Sequence, residues 1–175
     1  MDKVMFAKEY GERAHGDQVR KYTGEPYWEH PLAVAALVTH YWPDAPEDVI
    51  CAALLHDVVE DTPVELEEIR RLFGDDVATY VWFLTKPPAH VGNRETRKKL
   101  DRVRLAEAPA AVRYIKMLDV IHNAQSIKVH DKNFWQLFRE EAMMLFSAMK
   151  AQNVVKEIGT AIPGDWVGKF IAEIV

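Results

Sequence analysis

Between Ala52 and Thr62 the chain reads Ala-Ala-Leu-Leu-His-Asp-Val-Val-Glu-Asp-Thr, an apolar helical pattern interrupted by two pairs of residues that bind metals or carry protons. A helix that buries one face has no energetic reason to set His56-Asp57 and Glu60-Asp61 in it, because an unpaired buried charge is costly. A cation shared among these side chains removes that cost. The segment therefore requires a fold that brings further ligands to it from distant parts of the chain.

The rest of the sequence supplies such a fold. Apolar residues recur with helical spacing almost throughout, and no strand-like alternation of useful length, internal repeat or low-complexity segment interrupts them. The periodicity predicts helices over Met5–His15, Pro31–Tyr41, Pro46 to about Glu60, Pro63–Leu72, Asp76–Thr85, Thr96–Glu107, Ala110–Val129 and Phe134–Lys150, with a short closing helix over Asp165–Val175. Thr62, Pro63 and Glu65 read as cap, first position and reciprocal partner of the fourth of these. The expectation is an all-α, single-domain helical bundle spanning residues 1–175.

Composition narrows the partners. A formal net charge of −5 gives no footprint for a nucleic-acid polymer, although a small anionic substrate needs only local positive charge. Cys51 stands alone, so no internal disulfide forms. Met1-Asp2-Lys3-Val4 lacks the order of a signal peptide, and no apolar run approaches the roughly 20 residues of a membrane span. A cytoplasmic location follows by default, and a homo-oligomer is compatible with the sequence.

On one continuous helix His56 and Asp57 would point about 100° apart and could share an ion lying beside the axis, but could not hold it alone. His30, at the entry to the second helix, and Asp119, inside Ile115-Lys116-Met117-Leu118-Asp119-Val120-Ile121, stand out as two further candidate ligands in apolar surroundings. Two imidazoles and two carboxylates suit Mn²⁺, Fe²⁺ or Zn²⁺ better than Ca²⁺. Glu60, four residues after His56, shares its helix face, and Asp61 follows. A carboxylate there can orient a water or take its proton. The pattern points to a metal-dependent hydrolase. Singly, each residue has a structural reading: a satisfied core histidine, a cap, a surface ion pair. Arg94, Arg97, Lys98, Lys99, Arg102 and Arg104 read as a solvated helix face, or alternatively as a lid drawing polyphosphate inward, with Lys86 contributing similarly.

These residues sit in a longer match. Ala14-His15-Gly16-Asp17-Gln18-Val19-Arg20-Lys21, Thr23-Gly24-Glu25-Pro26-Tyr27, His30-Pro31-Leu32-Ala33-Val34-Ala35, Ala52 to Thr62, Phe73-Gly74, Leu84-Thr85-Lys86, Lys116-Met117-Leu118-Asp119 and His122-Asn123 follow in order. Across about residues 3–150 the sequence resembles the HD-domain phosphohydrolases, and among them the alarmone hydrolase domain of RelA/SpoT-type proteins and their small stand-alone relatives. The remainder, 151–175, reads as a C-terminal extension.

The resemblance implies one divalent metal, usually Mn²⁺ with Fe²⁺, Zn²⁺ or Mg²⁺ as alternatives, held by His30, His56, Asp57 and Asp119. It implies Glu60 and Asp61 as the catalytic acidic pair, and hydrolysis of the 3′-pyrophosphate of ppGpp or pppGpp to GDP or GTP and pyrophosphate. Arg20, suited to stacking on the base, together with Lys21, Thr23, Asn123 and Ser126, matches substrate-binding positions. Val120 replaces an arginine of the family pattern, and Phe146 stands where many relatives carry a tyrosine. Both leave the metal set intact and bear on substrate choice. They motivate an alternative, the same chemistry on another nucleotide or a phosphorylated dinucleotide cofactor. A non-catalytic nucleotide sensor ranks behind both.

Overall fold

The computed structural model describes residues 2–159; the closing helix expected over Asp165–Val175 lies outside them. Among the described residues the secondary structure is helical, with one isolated antiparallel bridge and no strand. The all-α expectation holds. The chain divides at Lys86 and Pro87 into two compact units.

The first unit contains α1 (Lys3–His15), α2 (Glu29–Tyr41), α3 (Glu47–Leu55), α4 (Val58–Asp61), α5 (Leu66–Phe73) and α6 (Asp75–Leu84). Its centre is α3, against which α1, α2 and α6 all pack. Five consecutive residues of α3, from Cys51 to Leu55, are buried, so this part of the helix is apolar all round rather than striped. Burial pushes the Cys51 thiol up to about 12, which keeps it protonated and inert.

Close packing of α1 rests on Gly11. A methyl there would meet the Trp28 ring at 2.5 and 2.8 Å and the Leu54 carbonyl at 3.3 Å. Trp28 is buried and cannot retreat. Gly11→Ala gains about 1 kcal/mol in helix propensity but incurs an overpacking cost of about 1–3 kcal/mol. A melting temperature lowered by up to about 8 °C is expected, at roughly 2–4 °C per kcal/mol for a chain of this size; differential scanning calorimetry measures it.

The second unit contains a 3₁₀ turn (Ala89–Val91), α7 (Arg94–Ala106), α8 (Ala110–His130), α9 (Lys132–Ala148) and α10 (Ala151–Ile158). The long α8 is its spine, packed by α7, α9 and α10. The buried Arg113 guanidinium reaches the carbonyls of Ala108 and Met149 and the carboxylate of Glu157, joining three helix ends. The basic stretch is less solvated than its composition suggests. Arg94 forms a bidentate pair with Glu141 on α9 (2.7 Å twice), Lys98 approaches the same carboxylate at 3.5 Å, and Arg104 pairs with Asp101. Desolvation alone would raise the Glu141 carboxyl, but the Arg94 hydrogen bonds and the Lys98 charge outweigh it and hold it low.

Several boundaries differ from expectation for identifiable reasons. The third helix does not run on to Glu60. It stops at Leu55, His56 and Asp57 form a turn, and α4 starts afresh at Val58. Thr62 does not cap the next helix. Its hydroxyl donates to the Val58 carbonyl at 2.7 Å and closes α4, leaving Glu65 at the entry to α5. Pro63 therefore lies in the connection. The helix Ala151–Ile158 occupies part of what the sequence presented only as an extension.

Candidate metal centre and hydrolytic site

The break between α3 and α4 builds the centre. Asp57 has φ −100° and ψ −5°, a conformation between helix and turn. The His56 Nδ1 lies 2.8 Å from the Ala53 carbonyl. A carbonyl only accepts, so Nδ1 carries the proton, and in the neutral ring Nε2 then presents a lone pair. That Nε2 is 3.1 Å from Asp57 Oδ2, and His30 Nε2, brought by the first turn of α2, is 3.6 Å from the same oxygen. All three residues are buried, and their donor atoms fall within 4.8 Å of one another.

This arrangement fits a divalent transition metal. An imidazole nitrogen facing a carboxylate oxygen needs a positive charge between them, a proton or a metal ion, and three such donor atoms meeting at one point can share the latter. Donors about 2.1 Å from one ion stand roughly 3.0 Å apart at right angles and 3.4 Å apart at tetrahedral angles; the His56–Asp57 distance of 3.1 Å falls within that range, and the His30–Asp57 distance of 3.6 Å lies just above it. Nitrogen and oxygen donors together favour a transition ion over Ca²⁺.

Both acidic neighbours are anchored. Glu60 Oε1 accepts from Lys86 Nζ at 2.8 Å, and Oε2 accepts from the Lys86 backbone N–H at 3.1 Å. The surface ion pair considered for Glu60 thus exists, and its partner is the lysine expected to meet substrate. Asp61 Oδ2 lies 2.9 Å from the Tyr27 hydroxyl, which is also 2.6 Å from Asp57 Oδ2. Although Asp61 as a residue is exposed, desolvation of its carboxyl and then the Asp57 charge push its pKa up, opposed by the Tyr27 hydrogen bond and Lys86. Burial, then Asp57, drives the Tyr27 phenol far above its ordinary value, so it remains a donor.

The loop from Gln18 to Tyr27 folds back on itself. Arg20 N–H donates to Glu25 carbonyl (2.8 Å), Tyr27 N–H to Gln18 carbonyl (2.8 Å), and Gly24 takes the positive φ of 71° that the turn requires. Arg20 sits 5.8 Å from the centroid of the Tyr27 ring, and the Lys21 ammonium lies 4.6 Å from the Tyr22 ring and 3.1 Å from its hydroxyl. Thr23 is exposed at the turn. Arg20, Lys21, Thr23, His30, His56, Asp57, Glu60, Asp61 and Lys86 all belong to the first unit.

Asp119, Asn123 and Ser126 belong to the second unit, on α8. Asp119 Oδ2 accepts from the buried Lys116 at 2.8 Å, Oδ1 accepts from the Asn123 amide at 2.6 Å, and the Ser126 hydroxyl donates to the Asn123 carbonyl at 3.2 Å. Spacings of three and four residues put these on one helix face. The buried carboxylate that had no evident reason in the sequence is balanced by Lys116, a partner visible three residues upstream. Tyr27, Gln18 and His15 escaped notice as site residues. His15, in the last turn of α1, is buried, with Nδ1 3.0 Å from Gln18 Oε1.

The fold and centre define a helical protein whose interrupted helix carries a His-Asp metal motif. A family model described as HD domain matches residues 7–154, and the chain belongs to that family. A guanosine-3′,5′-bis(diphosphate) 3′-pyrophosphohydrolase of Aquifex aeolicus is 32% identical over 171 residues, 97% of this chain; the chain spans only 24% of that relative's length. The Drosophila melanogaster enzyme of the same name, MESH1, is 29% identical over 153 residues, covering 87% of this chain and 84% of its own. A solved structure of a metazoan SpoT ortholog, described as hydrolysing ppGpp, superposes with a TM-score of 0.82 at 26% identity, covering 99% of this chain and 94% of that one.

Proposed function

We propose that this chain is a divalent-metal-dependent phosphohydrolase that removes the 3′-pyrophosphate of ppGpp or pppGpp. Water is consumed, and GDP or GTP and pyrophosphate are released. The observation that carries this reading is the convergence of His30 and His56 on Asp57 one turn ahead of two anchored carboxylates. Similarity to MESH1 over most of both chains supports the substrate.

In this reading residues 1–175 act as one hydrolase domain, and His30, His56, Asp57 and Asp119 hold one ion, Mn²⁺ before Fe²⁺, Zn²⁺ or Mg²⁺. When bound, such an ion lowers the pKa of a coordinated water and polarises a phosphoryl oxygen. Asp61, whose carboxyl is held at a raised pKa, and Glu60 aim the attacking water and accept its proton. Arg20 stacks on the guanine, while Lys21, Thr23, Asn123 and Ser126 contact the rest of the nucleotide. Lys86 exchanges Glu60 for phosphate as substrate arrives. Among the described residues no helix is long and apolar enough to cross a membrane, which is compatible with a cytoplasmic enzyme acting on a small nucleotide rather than a nucleic-acid polymer.

Protein loaded with Mn²⁺ and given ppGpp is expected to yield GDP and pyrophosphate in equal amounts. Absence of turnover with metal bound overturns the proposal. A second reading, another nucleotide or a phosphorylated dinucleotide cofactor, draws on Val120 and Phe146. Both are buried and apolar where the family pattern has a charge and often a hydroxyl. A nucleotide panel run beside ppGpp decides between the two by kcat/KM.

A further inference from the structure

We propose that Tyr27 is a positioning residue that ties the metal-binding Asp57 to the water-directing Asp61, within a closed circuit that fixes Asp61 by both side chain and backbone. The inference rests on the metal reading of the centre and assigns a role to a residue that reading did not use.

The circuit can be followed contact by contact. The Tyr27 hydroxyl lies 2.6 Å from Asp57 Oδ2 and 2.9 Å from Asp61 Oδ2. It has one proton, so it donates to one carboxylate at a time while staying within reach of both. The backbone carbonyl of Asp61 accepts from Gln18 Nε2 at 2.7 Å. Gln18 Oε1 in turn lies 3.0 Å from His15 Nδ1, and its backbone carbonyl accepts from the Tyr27 N–H at 2.8 Å. The His15 ring packs on the Tyr27 ring with centroids 4.8 Å apart, which closes the loop.

The end of α1, the turn before α2 and the end of α4 thereby meet at one carboxylate. Asp61 ends a helix of four residues, too short to hold its own geometry. An external brace is therefore what determines where its carboxyl points. Asp57 benefits as well, because Tyr27 aims the oxygen that faces both histidines. Such outer partners of ligating groups contribute about 10–100-fold to metal affinity or activity.

Tyr27→Phe keeps the ring on His15 and removes only the hydroxyl. The Mn²⁺ dissociation constant, measured by calorimetry without substrate, is expected to rise about 10-fold or more, and kcat for ppGpp to fall about 10–100-fold with KM within about 3-fold. Wild-type Mn²⁺ affinity in the variant overturns the inference, as does a raised KM with kcat intact, which would make the hydroxyl a substrate contact. Should the variant lose its helical circular dichroism, Gln18→Leu decides. It cuts the circuit without touching Asp57, so kcat should fall while Mn²⁺ affinity stays, and an unchanged kcat overturns the inference. The Mn²⁺ titration needs no nucleotide. Failure of wild-type protein to hydrolyse ppGpp would thus count against the substrate, not against the brace.

Discussion

Replacing His56 by alanine is expected to abolish both Mn²⁺ binding and turnover. The side chain supplies a buried Nε2 lone pair fixed by the Nδ1 bond to the Ala53 carbonyl, 3.1 Å from Asp57 Oδ2. Its loss leaves His30 and Asp57 as the first unit's only members of the triad. A bound cation contributes several kcal/mol of charge stabilisation to phosphoryl chemistry; at 1.36 kcal/mol per tenfold, that corresponds to on the order of 10³-fold or more in rate. Metal content after dialysis and residual kcat check both halves. Wild-type metal stoichiometry in His56→Ala would show that the cluster is a packed polar core and nothing else.

Glu60→Gln and Asp61→Asn should separate chemistry from metal binding. Neither carboxylate belongs to the triad, so Mn²⁺ affinity is expected to stay within a few-fold of wild type. Turnover should fall by about 10²–10⁴-fold, the usual contribution of a positioned acid or base. The two changes differ in their surroundings. Glu60→Gln releases Lys86, whose side chain is 41% exposed and easily rehydrated. Asp61→Asn leaves the Tyr27 hydroxyl with Asp57 as its carboxylate acceptor. If the rate loss arises only in Asp61→Asn, Asp61 directs the water and Glu60 serves to hold Lys86. Wild-type kcat in both variants would remove the pair from the mechanism.

The helices were legible because their apolar spacing is a one-dimensional signal, and the core of α8 and the wholly buried face of α3 follow directly from it. His30, His56 and Asp57 were legible because polar residues in apolar runs need a partner, and each has one in the first unit. The helix break was not. Nothing in Leu-His-Asp-Val disfavours a helix locally, so the interruption comes from tertiary packing and from the imidazole bonding to the Ala53 carbonyl. Thr62 misled for a related reason. A threonine before proline is a good start signal, but the same hydroxyl also closes the preceding turn, and here that bond forms. Tyr27 and Gln18 gave no signal of their own, since polar residues in a turn are ordinary. Only the folded chain brings them to Asp61, across 34 and 43 residues.

The turn at His56 and Asp57 has a consequence for anyone wishing to move this chemistry to another scaffold. Copying the residues onto an uninterrupted helix would set the imidazole and the carboxylate about 100° apart, with a shared focus only beside the axis. What must be transplanted is the turn between α3 and α4, together with whatever holds it. Substitutions that remove it, by letting α3 run smoothly into α4, would therefore shift where His56 and Asp57 meet while leaving both residues in place and the fold more regular than before.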